Sequence, residues 1–312
     1  MILCLNTKND IAAPAIEIKS SSLQLYLSDN RPITGVDKTD RLYNHLMPEI
    51  ISVRMLTKKF NGLTAVNEVT FGVGKGEVFA FLGENGAGKS TTIKMLITLL
   101  APTSGEALVD GFRITRDAAR VREIIGYVPQ MISVDGTLTA FENLMLMAKL
   151  YDIPKKDRDN RIREVLRFLE LEKEAGILVR KFSGGMIRKL EIGQAILHRP
   201  PVLFLDEPTS GLDPVARRNV WQHLNQLRDR YQTTIFFTTH YMEEAEEVSD
   251  RVAIMHGGKL VAIGKVAELK SRTANPHATL EDAFIYFTGA TMAGGGTFRD
   301  TKRAREMERK LG

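Results

Sequence analysis

Nine consecutive residues, Gly83-Glu84-Asn85-Gly86-Ala87-Gly88-Lys89-Ser90-Thr91, fit the spacing G-x-x-x-x-G-K-[ST]. Glycines at 83, 86 and 88 let backbone N–H groups close around an anion at a helix N-terminus. In that geometry Lys89 reaches the β- and γ-phosphates of a nucleotide and the Ser90 hydroxyl ligates Mg²⁺, with Asn85 and Thr91 in the same cradle. A chance glycine-rich turn has the same letters, so the flanks decide between them. The apolar, β-prone run Val78-Phe79-Ala80-Phe81-Leu82 leads in, and Ser90 to Leu99 leads out with helical periodicity at Ile93, Leu96 and Leu100. Strand, loop and helix follow in the order a phosphate site requires.

Two further stretches carry chemistry. Val202-Leu203-Phe204-Leu205-Asp206-Glu207 reads as a buried strand that delivers two carboxylates to its C-terminal edge. Asp206 suits Mg²⁺, directly or through water, and Glu207 suits the base that orients and polarises an attacking water. The plainer alternative is an acidic pair capping the next helix. Upstream, Phe182-Ser183-Gly184-Gly185-Met186 opens an apolar-periodic helix through Leu190 and Ala195. Ser183 with Gly184 and Gly185 makes a second anion cradle there, although Ser-Gly-Gly also describes any flexible turn.

In this order the stretches resemble the ATP-binding cassette (ABC) family, whose signature is a Ser-Gly-Gly opening a helix, and the resemblance covers about residues 49 to 289. It implies the ABC ATPase fold: α/β, a P-loop NTPase core of mainly parallel sheet with an antiparallel β subdomain and an inserted helical subdomain. It implies that Gln130, ending Ile125-Gly126-Tyr127-Val128-Pro129-Gln130, senses Mg²⁺ and water. Asp213, in Ser210-Gly211-Leu212-Asp213, is then a link between two sites. His240, closing Phe236-Phe237-Thr238-Thr239-His240, contacts the γ-phosphate and the catalytic water, whereas a lone strand-end histidine is ordinarily satisfied locally. Phe60 falls where the family stacks an aromatic on adenine, with a core phenylalanine as the rival reading.

Phe182 and Met186 depart from the commonest signature, which has Leu and Gln, but leave the serine and glycines intact. Together with Arg188, Leu190, Glu191 and Ile192 they look like the drug-exporter branch typified by the daunorubicin-resistance ATPases. The runs Gly211-Leu212-Asp213-Pro214 through Trp221 and Thr279-Leu280-Glu281-Asp282-Ala283-Phe284 fit that branch too. The resemblance implies ATP and Mg²⁺ as cofactors, a second ATPase protomer, an ABC-2 type integral membrane permease, and a place on the cytoplasmic face of the cell membrane. No nucleic acid is expected. The alternative is a soluble cassette acting on ribosomes or nucleic acid, but such relatives join two cassettes or split one around long coiled coils. One cassette and no sustained heptads are present in this sequence.

The elements that must position these residues alternate short apolar strands with helices from Ile50 onward. Strands are predicted at Ile50 to Val53, Val78 to Leu82, Ala107 to Val109, Ile125 to Val128, Val202 to Leu205 and Thr234 to Thr238. Thr139-x-x-Glu142 is a capping box before a helix through Leu144, Ala148 and Tyr151, and a second helix shows Ile162, Val165, Leu166 and Leu169 on one face. Met145 and Met147 read as core filling. The domain expectation is an extension over 1–46 with little fixed structure, a functional start at Met47, an ATP-binding domain over 47–289 with its helical part at about 131–185, and a glycine linker and basic tail over 290–312.

The 312 residues leave room for one large or two ordinary domains. No apolar run approaches the roughly 18 to 20 residues that span a bilayer. The single cysteine, Cys4, excludes an internal disulfide and makes a reducing cytosolic setting the default. Of the net charge of +5, +3 sits between Phe298 and Gly312. Those bases either touch anionic headgroups or, interleaved with Asp300, Glu306 and Glu308, belong to a solvated helix.

Overall fold

The computed structural model describes residues 49–273 and 275–289, and the backbone of 17–19 and 24–26. The two short segments pair antiparallel as β1 (Glu17–Lys19) and β2 (Gln24–Tyr26). The rest of 1–46, with Cys4, and Met47 and the basic tail lie outside the described residues.

From Glu49 onward two sheets form. β3 (Glu49–Phe60), β4 (Leu63–Gly74), β6 (Ser104–Val109) and β7 (Phe112–Arg113) make an antiparallel sheet in the order β4-β3-β6-β7. The other sheet uses β5 (Val78–Gly83), β8 (Ile125–Val128), β9 (Val202–Asp206), β10 (Thr234–Thr239), β11 (Arg251–His256) and β12 (Lys259–Gly264). Its order is β12-β11-β5-β10-β9-β8, parallel throughout except for β12. Strand side chains alternate faces. On β5, β9 and β10 that sends Phe79, Phe81, Phe204 and Phe236 to one side, where they form one cluster with Phe71 of β4, adjacent ring centroids lying 5.4 to 6.0 Å apart. The alternate residues Val78, Ala80, Leu82, Leu203, Leu205, Ile235 and Phe237 line the other core, shared with the helices.

The phosphate-loop helix is α1 (Lys89–Leu96), followed by α2 (Ala118–Ile124). Periodicity predicts α1 through Leu99, but it stops at Leu96: Thr98 takes φ 66°, and Leu99 is exposed while Ile93 and Leu96 are fully buried. No glycine or proline stands before Pro102 to signal that stop. Strand β3 runs well beyond the predicted Ile50 to Val53, and β4, β11 and β12 add strands to the predicted set.

Two helices, α3 (Ala140–Leu150) and α4 (Lys155–Phe168), follow β8 and pack against α5 (Gly184–Ile196). The capping box at the start of α3 is formed: Glu142 N–H donates to Thr139 Oγ1 at 3.1 Å and Thr139 N–H donates to Glu142 Oε2 at 2.8 Å. Leu144, Ala148, Ile162, Val165, Leu166 and Leu169 share one buried core, with Met145 and Met147 half-buried against it. Gly193 lets α5 approach closely, since a Cβ there would sit 2.8 Å from Leu169 Cδ1. Glu164 of α4 accepts from Arg199 Nη2 at 2.9 Å and from Tyr231 Oη at 3.0 Å, which ties these helices to the approach to β9 and to the end of α6 (Pro214–Tyr231). The remaining helices are α7 (Met242–Val248), α8 (Val266–Ser271) and α9 (Leu280–Thr288).

At the foot of α5, His198 stacks on Tyr151 with ring centroids 3.8 Å apart, and its Nε2 lies 3.0 Å from Ile125 O. Burial pushes its pKa down to about 4 from 6.5. The unfolded chain therefore binds a proton that the folded chain refuses between those two values, so stability is full above pH 6.5 and is lost as pH falls toward 4. Urea unfolding is expected to show about 2 kcal/mol less stability at pH 5 than at pH 7 from this group. His198→Phe, which keeps a ring for Tyr151, should flatten that slope; an unchanged slope would assign it to another residue.

Candidate functional site

Parallel register brings the chemistry to one edge of the sheet. Leu82 lies beside Thr239, Gly83 beside Met255, and Asp206 beside Thr238. The phosphate loop, the acidic pair and His240 therefore leave neighbouring strand ends on the same side. In the loop, Gly86 and Gly88 take φ 83° and 106°, and a Cβ on Gly88 would fall 2.5 Å from Ala65 O, so this position requires glycine twice over. Helix α1 starts at Lys89 with Gly88 as N-cap and no side-chain cap, leaving its first-turn amides for an anion. Lys89 is buried and folds back over the loop, its Nζ donating to Gly83 O at 2.8 Å and Glu84 O at 3.1 Å. Burial lowers its pKa, and the charge of Glu207 only partly offsets that.

Three of the sequence-predicted residues converge on the Glu207 carboxylate. Lys89 Nζ lies 3.6 Å from Oε1; Gln130 Nε2 donates to Oε2 at 3.2 Å; and His240 Nδ1 sits 3.2 Å from that same oxygen, without hydrogen-bond alignment. Burial raises the carboxyl pKa, but His240 and Lys89 outweigh it and hold Glu207 below the usual carboxylate range. Glu207 is thus a carboxylate at neutral pH, free to accept. Its backbone takes φ 49°, a left-handed turn straight out of β9, held by its N–H donating to Thr238 O and Oγ1 at 3.2 and 3.0 Å. Asp206 Oδ1 accepts from Ser90 Oγ at 3.1 Å and from Thr238 Oγ1 at 2.6 Å. This pairing is of hard oxygen donors, and among the described residues no group of three or more His, Cys, Asp or Glu could hold a metal ion. The Ser90 hydroxyl and the Asp206 carboxylate are of the kind that fit Mg²⁺, which commonly binds through one or two carboxylates plus substrate phosphates.

Sequence reasoning missed Thr238 as a functional residue, although it positions both acids at once. It also missed Glu244, a buried carboxylate on α7 that accepts from Thr209 Oγ1, from Trp221 Nε1 at 2.8 Å and from Thr239 Oγ1 at 2.6 Å. Thr239 Oγ1 in turn accepts from Tyr241 N–H at 3.0 Å, so this network holds the turn that carries His240. The sequence signal available was an acid four residues past the histidine at the start of a helix, ambiguous with a first-turn charge.

The other predicted residues stand apart. Ser183 caps α5, accepting from Met186 N–H at 3.3 Å, and Asp213 caps α6, accepting from Val215 and Ala216 N–H at 2.9 Å each. These two turns neighbour one another: a Cβ on Gly184 would touch Leu212, and one on Gly185 would lie 3.1 Å from Ala216 Cβ. Among the described residues, neither Ser183 nor Asp213 has a side-chain hydrogen bond or ion pair to Lys89, Asp206, Glu207 or His240, although Ser210 N–H, opening the second turn, donates to Glu207 O at 3.2 Å. Asn85 and Thr91 belong to the loop and its helix, Asn85 being exposed. Phe60, at the end of β3, is 43 % exposed with Lys58 Nζ 5.0 Å over its ring, which rules out the core alternative.

The ABC transporter family model matches residues 66–210. The linearmycin resistance ATP-binding protein LnrL of Bacillus subtilis (strain 168) is 40 % identical over 223 residues, which cover 72 % of this chain and 71 % of that protein. The chain belongs to the ATP-binding cassette family. The daunorubicin/doxorubicin resistance ATP-binding protein DrrA of Streptomyces peucetius is 42 % identical over 216 residues, covering 69 % of this chain and 65 % of DrrA. The Escherichia coli (strain K12) ATP-binding protein YbhF is 39 % identical over 239 residues, and there the cassette spans only 41 % of the relative's length. Among solved structures, an ATP binding subunit of an ABC transporter superposes with a TM-score of 0.69 at 31 % identity, covering 76 % of this chain and 99 % of that one. A dimeric post-hydrolysis state of the ATP-binding cassette MJ0796, bound to ADP and Pi, superposes with a TM-score of 0.63 at 27 % identity over 69 % and 98 %. The fold is the ABC ATPase fold, a parallel sheet joined by an antiparallel one, as the sequence predicts, and its nucleotide is ATP.

Proposed function

We propose that this cassette hydrolyses ATP as one of two protomers of a dimer that drives export through a separate ABC-2 type permease on the cytoplasmic face of the membrane. The observation that carries the chemistry is the convergence of Lys89, Gln130 and His240 on Glu207. A water bound against Glu207 Oε2 would be held by an ionised acceptor, with Gln130 and His240 at the same oxygen to orient it and Lys89 on the other carboxylate oxygen to reach the γ-phosphate. Ser90 and Asp206 would hold Mg²⁺, which supplies charge neutralisation on the phosphates. The loop amides and Gly86 and Gly88 cradle the phosphates, and exposed Phe60 offers its face to adenine.

Ser183, Gly184, Gly185 and Asp213 supply nothing to the site of their own chain. Their position supports a composite site, in which they serve the nucleotide of a second copy. The dimeric MJ0796 cassette with ADP and Pi and the resistance names of LnrL and DrrA support dimer and export respectively. No described helix is long and apolar enough to cross a membrane. Affinity purification from native membranes tests the reading: a polytopic membrane protein is expected with the cassette, and recovery of ribosomes or DNA in its place would favour the alternative function.

A further inference from the structure

We infer that the buried Arg188–Glu191 pair on α5 is a clamp on the Gln130 loop, and that it makes both residues positioning residues linking the nucleotide site of one protomer to its own Ser183 turn. The inference rests on the dimeric reading above. Arg188 and Glu191 stand one turn apart on the same face of α5, with side chains only 7 % and 1 % exposed and Nη1 3.0 Å from Oε2. Both reach the loop from opposite ends. Arg188 Nη1 donates to Pro129 O at 2.8 Å and its Nη2 to Gln130 O at 3.3 Å. Glu191 Oε1 accepts from Ser133 N–H at 2.6 Å and from Ser133 Oγ at 3.0 Å. Between these grips Met131 and Ile132 bulge outward, 82 % and 66 % exposed.

The consequence is mechanical. Gln130 hydrogen-bonds Glu207 through its side chain and is held by Arg188 through its carbonyl, so a shift at the water-binding carboxylate pulls on α5. The N-cap of that helix is Ser183. A continuous helix transmits the pull to its first turn, where the second copy's phosphate would sit. The attraction within the pair is not what its burial secures, since apolar residues of similar volume commonly replace a buried ion pair without loss; what they would not replace is the four hydrogen bonds to the loop.

Arg188→Met/Glu191→Leu removes both charges together and leaves neither stranded. In the full chain, kcat per bound nucleotide is expected to fall about tenfold or more, with KM for ATP within about twofold of wild type. Glu191→Gln, which keeps an acceptor for Ser133, should lie between the two. Hydrogen exchange with a non-hydrolysable ATP analogue gives a readout independent of turnover. At concentrations where the chain is monomeric and no partner phosphate covers the Ser183 turn, nucleotide should slow exchange at 129–133 and in the first turns of α5 in wild type, and only at the former in the double variant. Unchanged kcat per bound nucleotide, or protection still reaching α5 in the variant, would overturn the clamp. Absence of wild-type hydrolysis alongside clamp-dependent protection would instead sink the catalytic reading and leave the clamp standing.

Discussion

Glu207→Gln is expected to slow ATP hydrolysis by at least about a hundredfold, close to 3 kcal/mol of barrier, while leaving ATP bound. Glutamine keeps the size of the side chain and one acceptor oxygen, so Gln130 retains a partner. It removes the charge that Lys89 and His240 hold ionised, and with it the acceptor for the proton of the attacking water. Loss of the charge also lifts its repulsion of the γ-phosphate. The variant should therefore accumulate as an ATP-stabilised dimer, visible by size-exclusion chromatography with Mg²⁺-ATP, because a ligand that bridges two protomers favours the associated state until it is hydrolysed. Phosphate release at near the wild-type rate would remove Glu207 from the role of base.

Lys89→Ala should strike one step earlier, at binding. The Lys89 ammonium is the buried cation of the loop, satisfied by two loop carbonyls and facing Glu207. Truncating one member of a buried charged set costs about 2–5 kcal/mol, part of it from groups left unpaired. A fall in ATP affinity of about a hundredfold or more is expected in a fluorescent-nucleotide titration. Adding Glu207→Gln to Lys89→Ala should restore part of the lost thermal stability by removing the uncompensated carboxylate, but not the affinity. Affinity within about threefold of wild type would show that the loop amides hold the phosphates without the lysine.

What the sequence made legible was local. The loop from Gly83 to Thr91 is a contiguous pattern whose glycines are there for backbone geometry, and Val78 to Leu82 and Val202 to Leu205 are apolar on every residue because both faces of their sheet are covered. Strand β4 escaped the strand pattern because Thr64, Asn67, Glu68 and Thr70 interrupt its apolar residues and its pairing with β3 shifts register three times beyond Glu49. The end of α1 at Leu96 depends on a left-handed Thr98, which no residue type announces. The tertiary roles were the least legible. Thr238 reads as an ordinary strand residue until β10 is placed beside β9, and Arg188 and Glu191 enter the sequence only as marks of a branch, their grip on the loop showing once the segment after β8 folds over them.

The indole of Trp221 is the chain's lone tryptophan, and it donates to the same Glu244 that holds Thr209 and Thr239. Thr209 precedes the Ser210–Asp213 turn and Thr239 precedes His240, so two segments that flank Glu207 share one optical reporter. The chain carries a built-in, label-free fluorophore, seated in the protein interior and wired through one hydrogen bond to the carboxylate that holds both segments.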